Sequence, residues 1–168
     1  MRLLCDTLRE SNKPLVLWLG AGVSKWCGYP LWSEVADLVH SCFLKYVPSY
    51  DKHTAITFLN SRKYPEFFEL CRKHDSKRYY SCLSKEFAPK KPTPVYERFV
   101  NIINEIKPLH IVTTNVDENL ESSILNARVI QKSDLEYCLN AIINKESFVC
   151  KIHGSISSIN SMVLTCND

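Results

Sequence analysis

Residues 15–24 have the sequence LVLWLGAGVS, in which five apolar residues are followed at once by a short glycine-containing segment. A short apolar run that ends at glycine is typical of a strand buried on both faces, as strands of a parallel sheet are. Gly20 and Gly22 allow a tight turn and the close approach of a ligand, and the N–H groups after them can meet an anion. The stretch therefore predicts a buried parallel strand whose carboxyl end carries a binding turn.

The rest of the chain alternates between strand patterns and helix patterns. Apolar runs predict strands at 109–113 and 147–152, with a weaker strand at 129–130 and the start of another at 163–165. This alternation predicts an α/β fold, a Rossmann-like open parallel sheet with helices on both faces. Apolar stripes at helical spacing predict helices over 31–42, 54–60, 64–87, 95–106, 117–125 and 133–143, the last with Ser133 as N-cap and Glu136 completing a capping box.

The domain organisation follows from where the strands fall. The stretch 40–95 contains no convincing strand, so we expect a helical insertion between the first and second strands. No internal repeat and no second domain boundary is visible, and residues 1–168 are therefore expected to form one domain.

Composition excludes several classes of protein. An apolar content of 45% with 23% charged residues excludes a disordered chain, and a net charge of +3 is too small for a long nucleic-acid groove. The chain has no apolar run of roughly 20 residues, the length that a membrane span needs. Acidic residues among the first thirteen positions disfavour a signal peptide, so we expect a cytoplasmic protein without membrane or direct nucleic-acid partners.

The cysteines predict neither metal binding nor disulfide bonds. The chain has eight cysteines, with no Cys-x-x-Cys pair and no regular spacing. A structural zinc site needs such paired ligands, and disulfides are rare in a reducing compartment. We therefore expect no metal ion and expect most of the thiols to be buried as small apolar groups.

Three of the predicted strands end in small or polar residues. In open parallel sheets, ligands bind outside the carboxyl ends of the strands, which places Gly20, Asn115, Asp117 and His153 at one crevice. Each has an alternative explanation. The glycine turn can end a strand without any ligand, Asn115 and Asp117 can cap the next helix, and His153 can be a buried imidazole with its hydrogen bonds satisfied.

Other common chemistries fit the sequence less well. Lys25 stands where the dinucleotide fingerprint has its third glycine, and no acidic ribose ligand follows, so an ordinary nicotinamide dehydrogenase is excluded. Cys150 and His153 are three apart on a predicted strand and would point to opposite faces, and Ser24 lies outside a nucleophile elbow. The aromatic residues Trp26, Tyr29 and Trp32 either belong to the core or wall a pocket for a flat ring.

In combination and in this order, four motifs resemble the sirtuin superfamily, and most closely the sirtuin-like domain of bacterial defence proteins that destroy NAD during phage infection. The resemblance covers nearly the whole chain. The motifs are GAGVS at 20–24, GYPLWSE at 28–34, TTNVD at 113–117 and KIHGS at 151–155.

The resemblance implies a substrate, a reaction and a role for each site residue. NAD would be hydrolysed to ADP-ribose and nicotinamide without a metal ion. Asn115 would hold the attacking water or the nicotinamide ribose, Asp117 the nicotinamide carboxamide, and His153 would act as the base. The residues along the NAD phosphates and ribose would be Gly20, Ala21, Gly22 and Ser24.

The sequence also departs from the family in two respects. The deacylases of the family carry a four-cysteine zinc module and a Pro-Asp-Phe-Arg stretch, whereas this chain lacks cysteine pairs and continues from Pro30 with Leu31 and Trp32. The family normally continues well beyond the third strand-end motif, so we expect a fold incomplete at the C-terminus, either an N-terminal piece of a longer protein or the product of a degraded gene. The expected partners are further domains of a longer protein or other copies in a homo-oligomer. The alternatives are an NAD-dependent protein deacylase, a non-catalytic NAD or ADP-ribose sensor, and a plain structural domain.

Overall fold

A computed structural model describes residues 15–124, 126, 128–131, 134 and 136–165. Within these residues, four strands form one all-parallel sheet in the order β1-β2-β4-β3. The predicted α/β class with a parallel sheet is therefore confirmed. The strands are β1 (Val16–Leu19), β2 (His110–Thr113), β3 (Arg128–Gln131) and β4 (Phe148–Lys151).

Helices occupy most of the remaining described chain. They lie close to the predicted ranges, although residues 117–118 precede the helix expected there, and residues 163–165 form no strand. The predicted N-cap Ser133 lies outside the described residues. The helices are α1 (Ala21–Lys25), α2 (Trp32–Tyr46), α3 (Lys52–Asn60), α4 (Tyr64–His74), α5 (Ser76–Glu86), α6 (Pro94–Ile106), α7 (Asn119–Ser123) and α8 (Glu136–Ile143), followed by a 3-10 turn at Ile159–Ser161.

Short polar side chains set the starts of three helices. The Asp51 carboxylate accepts the Thr54 N–H at 3.1 Å and caps α3, and the Asp75 carboxylate accepts the Arg78 N–H at 2.8 Å and caps α5. Asp75 also ends α4, which divides the predicted 64–87 helix into two. Thr93 caps α6, in which Pro94 occupies the first position, where a missing N–H costs no hydrogen bond.

Helices α2 to α5 lie between β1 and β2 in the sequence. They pack together around an aromatic core. The side chains of Phe43, Phe67, Phe68, Tyr79 and Leu83 are at most 2% exposed. A disulfide joins Cys42 of α2 to Cys82 of α5. This bond corrects the expectation that the chain would form none, because cysteine spacing along the sequence does not reveal that two helices bring distant thiols together.

Helices cover the two faces of the sheet unequally. On one face, Leu19, Ile111 and Val149 pack against Ile103 of α6 and Leu120 of α7. On the other face, α8 contributes Ala141 to a cluster made with Ile130, Phe148 and Cys150.

The prediction that β1 is buried on both faces is wrong. Val16 and Trp18 are 52% and 67% exposed, and both point to the face that carries α8. Ala141 of α8 packs over β3 and β4, and in the described part of the chain no helix covers the β1 end of that face. The described helices also include none that is both long enough and apolar enough to cross a bilayer.

Candidate functional site

The segments that follow β1, β2 and β4 lie side by side at one edge of the sheet. The Thr114 N–H donates to the Leu19 carbonyl at 3.3 Å, and the Ile152 N–H donates to the Thr113 carbonyl at 3.1 Å. These bonds extend the sheet ladder by one residue past each strand. The three strand ends therefore lie next to one another, because the carboxyl ends of parallel strands meet at the same edge.

Asn115 connects the second strand end to the first. Its side-chain amide donates to the Gly20 carbonyl at 3.0 Å, and its backbone N–H donates to the Thr113 hydroxyl at 3.0 Å. The residue is only 7% exposed. The side chain is thus held in one orientation, and the donor bond to Gly20 fixes where its amide oxygen lies.

Both oxygens of the buried Asp117 carboxylate accept a hydrogen bond. The Ser24 hydroxyl donates to one of its oxygens, and the Asn119 N–H donates to the other at 3.2 Å. The second bond satisfies the first N–H of α7, so part of the capping alternative holds. The Ser24 bond goes beyond capping, because it ties the carboxylate to the turn after β1. Each carboxylate oxygen has more than one lone pair and can accept a further donor.

His153 lies two residues beyond β4, in a turn rather than in the strand. The turn is closed by the Gly154 N–H donating to the Lys151 carbonyl at 3.1 Å, while the Val163 N–H donates to the His153 carbonyl at 3.1 Å. Burial lowers the pKa of His153 below its ordinary value of 6.5, which keeps the imidazole neutral near pH 7. Its Nδ1 is buried and has no hydrogen-bond partner within the described residues.

The backbone requires a glycine at Gly154, and not at Gly20 or Gly22 as predicted. The backbone at Gly20 has φ −114°, a conformation open to any residue, and a Cβ built on Gly22 would meet no atom within 4 Å. The turn after β1 therefore does not need glycine for its shape. Gly154, in contrast, has φ +76°, and a Cβ there would lie 2.1 Å from the Ser161 carbonyl oxygen. Close approach by the 3-10 turn excludes any side chain at that position.

Two cavities meet at Trp32. A small cleft with a volume of about 10 Å³, the strand-end cleft, lies at the ends of β1 and β2, and an apolar cavity of about 420 Å³ lies beside His153. The cleft is lined by Ala21, Ser24, Pro30, Trp32, Phe87, Asn115, Val116 and Asp117. The apolar cavity is lined by Trp32, Tyr64, Pro65, Phe68, His153, Val163, Leu164 and Thr165.

The structure thus brings most of the predicted site residues to the strand-end cleft. Ala21, Ser24, Asn115 and Asp117 line the cleft, and Gly20 adjoins it through its hydrogen bond to Asn115. Gly22 lines neither cavity, and His153 does not line the cleft but the neighbouring cavity, whose lining also includes Trp32.

The three aromatic residues after the glycine turn have separate roles. Trp32 walls both cavities, whereas Tyr29 is 1% exposed and donates from its hydroxyl to the Asn119 side chain at 2.9 Å. Trp26 is 44% exposed and packs edge-on against Phe99 at 5.4 Å. Trp32 also packs against the aromatic core, so both interpretations apply to it, whereas the core interpretation alone applies to Tyr29.

Lys151 and Glu121 are site neighbours that the sequence argument did not single out. The Lys151 ammonium donates to the Asp117 carbonyl at 2.5 Å and forms an ion pair with Glu121, and the lysine side chain is 0% exposed. One signal was present in the sequence, since a lysine that ends the apolar run 148–150 in a strand expected to be buried requires a partner.

Within the described residues, no group of three or more His, Cys, Asp or Glu side chains is placed to hold a metal ion. No protein-family model matches the sequence, and no curated protein matches it with significance.

Proposed function

We propose that the chain is a sirtuin-like domain with a Rossmann-like open sheet, and that it hydrolyses NAD to ADP-ribose and nicotinamide. One observation carries the proposal. Ser24, Asn115 and Asp117 come from two strand ends about ninety residues apart and line one cleft, where Ser24 bonds to Asp117 and Asn115 bonds to the Gly20 carbonyl. His153 lines the adjacent cavity, whose lining also includes Trp32.

The reaction fits the chemistry of these side chains. Cleavage of the nicotinamide–ribose bond passes through an oxocarbenium-like transition state and releases neutral nicotinamide, which takes the electron pair of the broken bond. Water then forms the new bond to the anomeric carbon and loses a proton to a base. The reaction therefore needs a positioned water molecule, a base that is neutral near pH 7, and an enclosed site.

Each side chain has a role that its contacts permit. The Asn115 amide, held by the Gly20 carbonyl, presents its oxygen to the attacking water or a ribose hydroxyl. Asp117 accepts a hydrogen bond from the nicotinamide carboxamide, and neutral His153 takes the proton from water. The phosphates and ribose follow the segment from Gly20 through Ala21 and Gly22 to Ser24, where Gly22 leaves space for close approach.

The strand-end cleft must open before it admits a nicotinamide ring. At about 10 Å³ it accommodates roughly one water molecule. The side chains of Trp32 and Phe87 close it from the helical side, and their rings lie 6.3 Å apart. NAD binding on this proposal therefore displaces one or both rings.

A second candidate is supported by the apolar cavity. Its wall beside His153 is formed by Trp32, Tyr64 and Phe68, which suits the acyl chain of a modified lysine. This favours an NAD-dependent protein deacylase, in which nicotinamide is released only when an acyl-lysine peptide is present. Hydrolysis without a peptide separates the first candidate from the second.

The same resemblance supports a biological setting for the proposed activity. It favours a cytoplasmic role in anti-phage defence, exercised together with further domains of a longer protein or within a homo-oligomer. NAD is the expected small-molecule partner, and no metal ion is required.

The test is nicotinamide release from NAD by the intact protein. Wild type is expected to release nicotinamide without any peptide, and Asn115→Ala and His153→Ala are expected to lose about 10²–10⁴-fold in rate. His53→Ala and Asn60→Ala remove the same chemical groups at exposed positions of α3 and should keep wild-type activity. Equal rates in all five proteins would end the proposal, and NAD-dependent stabilisation without turnover would indicate a sensor instead.

A further inference from the structure

Lys151 is fully buried beneath the site. It is the last residue of β4, its side chain is 0% exposed, and its ammonium contacts the Glu121 carboxylate and the Asp117 carbonyl. By comparison, the lysines of two other ion pairs, Lys25–Glu34 and Lys73–Glu69, are 46% and 70% exposed. Removing a charged ammonium from water is costly, so this lysine needs both of its buried partners.

The ion pair between Lys151 and Glu121 is expected to add little to the free energy of unfolding. The attraction between two buried charges often only repays the cost of desolvating them, and well-packed apolar residues do as well or better. Burial raises the pKa of Glu121, and the neighbouring Lys151 charge and hydrogen bond oppose that rise. Val149 is buried on the same face of β4, so an apolar side chain would also suit the position of Lys151.

The contacts of Lys151 nevertheless help to hold Asp117, one of the candidate site residues. Asp117 is held from the β1 side by Ser24 through its carboxylate, and from the β4 side by Lys151 through its carbonyl. The adjacent Val116 carbonyl accepts the Ile156 N–H at 2.9 Å. The segment 115–117 is therefore fixed between the turn after β1 and the segment that carries His153, two residues beyond Lys151.

We infer that Lys151 and Glu121 are a positioning pair, which holds the backbone of the segment 115–117 in register with His153 so that amide, carboxylate and imidazole keep their spacing. The pair touches no substrate atom. Its effect on catalysis rests on the proposed NAD hydrolysis, whereas its effect on the backbone does not.

The decisive comparison is between one single and one double variant of the full chain. Lys151→Met leaves Glu121 buried without its cation and is expected to be clearly destabilised. Lys151→Met/Glu121→Gln removes both charges at nearly constant volume and is expected to regain most of the stability in urea unfolding. Lys73→Met, which removes an exposed lysine from α4 while its partner Glu69 keeps the ion pair with Arg72, serves as the control.

Positioning and mere stabilisation predict different results for the double variant. If the pair positions the segment, the amides of residues 116–119 exchange hydrogen faster than in wild type and in Lys73→Met, even though global stability has returned. The turnover number for nicotinamide release falls by about 10²-fold, with a smaller change in KM. The reason is that misplaced side chains stabilise the transition state less, while substrate binding changes little.

Each readout has an outcome that overturns the inference. Wild-type amide exchange at 116–119 in the double variant contradicts positioning, whether or not NAD is cleaved. Faster exchange with an unchanged turnover number contradicts the catalytic part. If wild type releases no nicotinamide, the proposed function fails, and the exchange measurement still decides whether the pair holds the segment.

Discussion

At the scale of single residues, Gly22 and Gly154 differ in whether the fold has room for a side chain. Gly154 has φ +76° and lies under the Ser161 carbonyl, so its lack of a Cβ is required by the protein itself. Gly22 has open space where a Cβ would be, so the fold itself does not require its lack of a side chain, and the proposed function assigns that space to the approach of NAD. Alanine substitutions separate the two requirements.

We expect Gly154→Ala to lower the free energy of unfolding by about 1–3 kcal/mol, because it forces a side chain into a left-handed conformation and against backbone. Gly22→Ala, in helix α1, should raise the free energy of unfolding by about 0.5–1 kcal/mol but increase KM for NAD. Urea unfolding and nicotinamide release measure the two quantities. Destabilisation by Gly22→Ala with an unchanged KM would contradict the ligand role of the turn.

The pH dependence of activity follows from the burial of His153. Burial lowers the pKa of His153 below 6.5, so the neutral base persists as pH falls past 6.5. We expect kcat/KM for nicotinamide release to be level around pH 7 and to fall only below pH 6.5. A pH–rate profile checks this, and an acid limb at or above pH 6.5 would contradict the assignment of His153 as the base.

The stability of the protein should also fall on acidification. Between the ordinary pKa of 6.5 and the lowered value in the folded state, the unfolded chain binds a proton that the folded chain does not, so the free energy of unfolding falls as pH falls. Burial lowers the pKa of His40 and His110 in the same direction. His40→Gln is therefore the control, which should change the stability curve without moving the acid limb of activity.

At the scale of elements, the disulfide connects two helices of the helical layer. Cys42 and Cys82 are separated by 40 positions in the chain, and closing a loop of that length stabilises a fold by about 2–4 kcal/mol. We expect Cys42→Ala/Cys82→Ala to be less stable than wild type by that amount in the absence of reductant. Urea unfolding checks this. Added reductant should lower the free energy of unfolding of wild type and leave that of the double variant unchanged. Wild-type stability in the double variant would contradict the prediction.

The sequence was most informative about elements and least informative about what covers them. The apolar runs and the polar residues after them located β1, β2 and β4, because those patterns are local. The run 15–19 looks the same whether one face is covered or both, and for that reason the exposure of Trp18 could not be predicted. Pairing of Cys42 with Cys82 likewise depends on how two helices pack.

The candidate site was also only partly predictable. Positions at strand ends suffice to collect Ser24, Asn115 and Asp117 at one edge of a parallel sheet. His153 lines a separate cavity, and its position depends on the turn after β4 and on how the helices pack, which local sequence patterns do not show. Lys151 gave a signal by its charge, but its partners Glu121 and Asp117 are only found in three dimensions.

At the scale of the whole molecule, the site lies between the sheet and the helical layer. The sheet supplies the polar groups at its strand ends, and Trp32 and Phe87, at the two ends of the helical layer, supply the aromatic wall. Trp32 also packs against Phe68 of α4 at 6.1 Å, so movement of the wall involves the aromatic core. If the chain binds NAD as proposed, opening of the cleft therefore depends on how the sheet and the helical layer pack.

The most direct test of the central claim is to quantify both products formed from NAD by wild type and by Asn115→Ala. The proposed hydrolysis predicts nicotinamide and ADP-ribose in equal amounts from wild type without any peptide, and neither product above background from Asn115→Ala. Products formed at the same rate by both proteins, or no products from wild type, would contradict it.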